Sequence, residues 1–352
     1  MNNIKESFKN VLQSMTSIKM IMWFRLLFGI YFKISDSKFI CWLLRVYCLC
    51  SSIAFTIGFY VGHNSRFSYI DFFGCFEYIF NVLSSLVTAD GYFLKFCNAI
   101  STADTIMNYK RVALVSNNIN IIIFLVVVTR LGLGILHHLA SPMSTLKFVC
   151  PFIMFTSVNT YFVTVIIIFS LLHTRMKMLR KFMERNSIPV NILGEDQVAN
   201  SIRRLRKGLF TYRYLLDSLY SINYQLQYLV SIFFIAETKS LITASFQMDA
   251  LIFTVNLLEA IQALFLVTSP GIITELIDNE VAKIETTLLR QLLMCSDPSL
   301  HYELETALQY VRWRPFKYMI CGAVPLNARL PLNMAALCFT YVIISVQFRQ
   351  LH

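Results

Sequence analysis

Apolar residues along this chain come in long blocks separated by basic, polar connections. A bilayer core about 30 Å thick takes about 20 residues of helix. Seven blocks meet or approach that length: 39–62, 67–88, 119–139, 146–172, 224–246, 249–273 and 332–349. The fifth is interrupted by Glu237 and Lys239. A shorter run, 21–32, holds Arg25 and Gly29 and is too short to span, so an interfacial or re-entrant helix is expected there. The connection 173–223 sets apolar residues among basic ones at helical spacing. They are Met176, Leu179, Phe182 and Met183, then Val198, Ile202, Leu205 and Leu209, with a break expected over 189–194. Helices 4 and 5 should therefore extend beyond the bilayer and pack as a bundle. Asp297 followed by Pro298 gives a helix start. The stripe Leu304, Leu308 and Val311 makes Pro298–Trp313 an amphipathic helix lying before the last span.

Composition narrows the class. Of 352 residues, 56% are apolar and 14% charged, against about 45–50% and about 25% in soluble domains. Neither a soluble fold nor a disordered chain fits; the expectation is an all-α membrane protein with seven transmembrane helices. The net charge of +11 suggests no nucleic-acid partner, because Lys and Arg flank the spans. They gather in the N-terminal segment and in the second, fourth and sixth connections, whereas the opposite side has Arg66, Lys147 and Arg349. The positive-inside bias puts the N-terminus in the cytoplasm, and an odd number of spans puts the C-terminus outside. That is the reverse of a G-protein-coupled receptor. The expected organisation is a cytoplasmic segment 1–38 and helices 1–6 over 39–273, with the long cytoplasmic loop 173–223. A cytoplasmic amphipathic helix and connection, 274–331, and a last helix with its tail, 332–352, complete it.

Short external connections leave little room for an extracellular binding domain, so a ligand should sit between the helices. Polar groups inside spans are rare and face cavities or partners. The candidates here are Arg130, His137, Asn159, Tyr161, Glu237, Asn256, Glu259 and Gln262, and topology lets them converge on one outward-open pocket. Pairing of Arg130 with Glu259 or Glu237 for charge neutralisation alone is the competing expectation. Nine Cys and six His show no metal-ligand spacing, so neither metal nor cofactor is expected. Enzyme motifs such as H-E-x-x-H and G-x-S-x-G are missing from the sequence. A multi-spanning small-molecule transporter should show inverted repeats and Gly/Pro-broken helices; no half-to-half symmetry is visible. The basic connections would meet anionic membrane lipids.

In the last span Asn333, Thr340 and Gln347 are seven apart. Seven residues turn a helix through 700°, about 20° short of two turns, so the three share one face. A polar stripe in a bilayer must meet a partner helix, water or other copies of itself. The run Thr340-Tyr341-Val342-Ile343-Ile344-Ser345-Val346-Gln347-Phe348 resembles the C-terminal signature of the insect gustatory receptors: Thr-Tyr, five mostly hydrophobic residues, Gln-Phe. Phe24-Arg25-Leu26-Leu27-Phe28-Gly29-Ile30 is similar to that family's N-terminal element. So is the stretch 316–332, with Gly322 and Asn327, to its approach to the final helix. The resemblance implies a ligand-gated, non-selective cation channel, with subunits of one family as a homo- or heterotetramer around a pore. Gln347, Phe348, Ile344, Thr340 and Asn333 would line or gate that pore. It further implies the plasma membrane of chemosensory neurons and a small-molecule tastant. Sugar-responsive members carry Glu where Val342 stands, so a bitter or other plant-derived ligand is expected. The insect odorant receptor channels share the topology and are the nearest alternative.

Overall fold

The computed structural model describes residues 22–23, 25–33, 37–62, 69–88, 91–109, 117–140, 145–185, 195–228, 230–231, 250–320, 322, 324–330, 333, 336, 340 and 347. Among the described residues, eight long helices appear in chain order: α1 (Lys38–Gly62), α2 (Tyr69–Thr88), α3 (Gly91–Ile106), α4 (Asn117–Ala140), α5 (Thr145–Arg185), α6 (Glu195–Tyr220), α7 (Ala250–Met294) and α8 (Pro298–Trp313). A two-residue-per-strand hairpin follows, β1 (Met319–Ile320) antiparallel to β2 (Val324–Pro325). Among the described residues, α1, α5 and α7 contain stretches long and apolar enough to cross a membrane, and α4 holds a shorter one, Phe124–Leu136. α1 exposes Phe39, Trp42, Leu49, Ile53 and Tyr60, a density of apolar surface that a bilayer accepts and water does not.

α5 is the central element. Its 41 residues rise about 62 Å, more than a bilayer needs. It touches α1, α2, α3, α4, α6 and α7. Val165, Ile167, Ile168 and Phe169 on it are wholly buried. Past Leu172 the helix continues unbroken into the basic stretch ending at Arg185, as the periodicity through Met176, Leu179 and Met183 requires. There α6 packs against it: a Cβ on Gly208 would lie 2.9 Å from the Met183 terminal methyl. α7, 45 residues long, runs alongside, and α8 closes the base against α6 and α7.

Capping starts α8 where the sequence places it. Asp297 accepts a hydrogen bond from the Leu300 amide at 2.9 Å, Pro298 occupies the first turn, and Leu300, Leu304, Ala307, Leu308 and Val311 are buried. Ion pairs tie the base together. Arg175 is bidentate to Asp104 of α3 at 2.6 and 3.1 Å, Arg180 reaches Glu280 of α7 at 2.6 Å, and Arg312 reaches Glu285 at 2.7 Å.

Two features depart from the sequence expectations. For the run 21–32, expected as an interfacial or re-entrant helix, the described residues show a short helical turn through Leu27 that ends at Gly29 (φ 83°), after which residues 30–33 form no regular element. Arg25, Ile30 and Tyr31 are fully buried. The Arg25 Nη1 donates to Thr164 Oγ1 of α5 at 3.2 Å, the Tyr78 hydroxyl donates to the Phe28 carbonyl at 2.9 Å, and the Tyr31 amide donates to Ser85 Oγ at 3.0 Å. A guanidinium that would be costly against lipid is instead buried inside protein. The second departure is α3, in a connection expected only to carry the basic residues Lys95, Lys110 and Arg111. Its inward stripe of Tyr92, Phe93, Phe96, Cys97, Ile100 and Ala103 has helical spacing, diluted by Lys95, Asn98, Ser101 and Thr102. The fifth span lies mostly outside the described residues, as do the break over 189–194 and much of the seventh.

Candidate functional site

α4 and α7 meet along a seam whose polar residues come from the middle of apolar helices. The Arg130 Nη1 donates to Glu259 Oε1 at 2.9 Å, and the guanidinium lies 5.0 Å from the centroid of the Phe155 ring on α5. Their side chains are 11% and 30% exposed. In a low-dielectric environment either charge alone would be costly, so the ion pair and the ring together hold three helices in contact. Gln262, three residues past Glu259, is buried; its Nε2 donates across the seam to the Val126 carbonyl at 3.5 Å. Such a weak bond leaves the amide capacity for a stronger partner.

Beside this seam α4 and α7 enclose an open cavity of about 430 Å³, lined by Val126, Thr129, Leu133, Leu258, Gln262 and Phe265 among others. The volume falls in the range of small-molecule sites, and an apolar wall with few polar groups is their usual character. Of the expected ligand contacts, Arg130, Glu259 and Gln262 come together. Asn159 is buried on α5 one turn beyond Phe155. His137, Tyr161 and Asn256 belong to α4, α5 and α7, but their side chains lie outside the described residues, and Glu237 lies outside them altogether. Phe155 was not singled out by the sequence, because one Phe among 30 carries no signal until its cation partner is placed.

The last helix begins at a defined cap. Asn327 Oδ1 accepts from the Arg329 and Leu330 amides at 3.2 and 3.1 Å, the N-cap pattern. Beyond Leu330 the described positions are Asn333, Ala336, Thr340 and Gln347. All are helical and all are exposed. At 100° per residue they fall on one face about 60° wide. Ile344 and Phe348 lie outside the described residues.

With this architecture in place, the chain can be set beside known structures. It is similar to the insect olfactory receptor OR5 from Machilis hrabei in complex with eugenol, with a TM-score of 0.55 and 13% identity, covering 96% of this chain and 100% of that chain. A second structure of OR5 aligns with a TM-score of 0.51 at 12% identity, over the same shares. The chain has the insect olfactory receptor fold. No protein-family model and no curated protein matches it. Both of these solved structures are of a receptor, not an enzyme.

Proposed function

We propose that this protein is a ligand-gated, non-selective cation channel of the insect chemosensory type, a gustatory receptor of the plasma membrane of sensory neurons. Four subunits surround one pore, and a bitter or other plant-derived small molecule opens it. The observation that carries the reading is the exposed polar face Asn333–Thr340–Gln347 of the final helix. Hydrogen-bonding groups in a bilayer require partners or water, and an axis shared between copies supplies water.

A ring of Phe348 at the outer end makes a constriction that closes by dewetting, and a ring of Gln347 amides offers neutral oxygens to passing cations. No acidic ring accompanies them in the last span, which fits weak discrimination among cations. The ligand belongs between α4, α5 and α7, where Arg130, Glu259 and Gln262 stand beside the apolar cavity. Asn159, Tyr161, His137, Asn256 and Glu237 are further candidates for that pocket. The likeness to an olfactory receptor favours one second reading, an odorant receptor-type channel. Heterologous expression with a panel of sugars, bitter compounds, amino acids and volatile phenols, reading calcium entry without added G protein, tests both. Entry evoked by a bitter compound supports the gustatory reading, and entry evoked by volatiles alone supports the odorant one. A surface-expressed protein silent to the whole panel counts against a channel.

A further inference from the structure

The cap of the last helix rests on α7. A Cβ built on Gly271 would lie 2.6 Å from the Asn327 carbonyl oxygen and 3.1 Å from its carbon. These are backbone atoms of the residue that caps the last helix, so no flexible side chain can give way. Three residues on, the Thr274 hydroxyl donates to the Leu326 carbonyl at 2.5 Å, and Glu275 Oε2 accepts from the Ala328 amide at 3.1 Å. Asn327 therefore serves the amides of Arg329 and Leu330, while Glu275 serves that of Ala328 from another helix. The carboxylate also sits at the positive end of the last helix dipole, where negative charge is favoured. Thr274 is buried, 2% exposed. Pro270 precedes Gly271 within α7; it donates no amide, so α7 is weakest as a helix at the point where the cap is seated.

α7 is also the helix that carries Glu259 and Gln262. Glu259 and Gly271 are 12 residues apart on one continuous helix, about 18 Å. We infer that Gly271, Thr274 and Glu275 form a latch that fixes the take-off of the last helix from α7. Through this latch, movement of α7 at the α4–α7 seam reaches the pore. The role is one of positioning and rests on the channel reading above. With the latch seated, the last helix is held in its closed arrangement; with it unseated, the helix is released.

The test uses the full-length protein and two readouts. Hydrogen exchange of the 328–330 amides is measured on detergent-purified protein. Ligand-independent calcium entry is measured in expressing cells and normalised to surface protein. Gly271→Ala and Thr274→Val should each speed exchange about tenfold, the order expected when one buried hydrogen bond is lost, and should raise the leak. Thr274→Ser, which keeps the hydroxyl, and Gly91→Ala, whose added Cβ meets nothing within 4 Å, should change neither. Unchanged exchange in both Gly271→Ala and Thr274→Val overturns the latch. Faster exchange with an unchanged leak overturns the coupling. A wild type that conducts under no stimulus defeats the pore reading on which the coupling rests, while the exchange result still decides the latch.

Discussion

Two glycines show how the same residue type carries different constraints. An added methyl at Gly208 meets the end of the flexible Met183 side chain at 2.9 Å, whereas at Gly271 it meets backbone. Gly208→Ala should therefore be nearly silent in thermal unfolding of the purified protein, while Gly271→Ala lowers the melting temperature. Arg130 and Glu259 offer a second comparison. Glu259→Gln alone strands a guanidinium that is mostly buried, at a cost on the order of 3 kcal/mol, and surface expression should fall. Adding Arg130→Gln should restore much of it. A double variant that expresses well but has lost its response to an agonist would assign the pair to the ligand; one that responds normally would leave it as charge neutralisation only.

At the scale of elements, caps and ion clusters set the base of the molecule. Asp297→Ala should cost about 1 kcal/mol, the usual value of an N-cap, read as a lower melting temperature. Burial raises the Glu280 carboxyl, but hydrogen bonds from Lys283 and Arg180 outweigh it and hold it below the ordinary carboxylate range. A carboxylate depressed by folding contributes stability above its unfolded pKa, and the contribution is lost as the pH falls. Thermal stability in detergent should therefore decline below about pH 4.3, and Glu280→Gln should flatten that decline. The helices themselves were largely legible from sequence. α1 and α8 begin and end within a residue of their expected bounds, because apolar length and the Asp297–Pro298 start are local signals. α3 was not legible, since its stripe is interleaved with Lys95 and three hydroxyl or amide residues. The fate of 21–32 was not legible either. Whether Arg25 faces headgroups or Thr164 depends on α5, 139 residues away in the chain.

For the molecule as a whole, the polar heptad of the last helix was legible as a face but not as an interface, because one chain does not specify what its exposed face meets. The same limit applies to the site. Arg130 and Glu259 could be named from their rarity in apolar runs, whereas the cavity beside them depends on how α4 and α7 pack. A C-terminal epitope should be reached by antibody on intact cells, and purified particles should be tetramers. The most direct measurement concerns Gln347: agonist-evoked whole-cell currents of wild type and Gln347→Glu, recorded under sodium–calcium gradients. A ring of this residue around the pore predicts that four added carboxylates shift the reversal potential toward that of calcium. Identical reversal potentials from two equally expressed proteins would contradict a pore lined by the last helix.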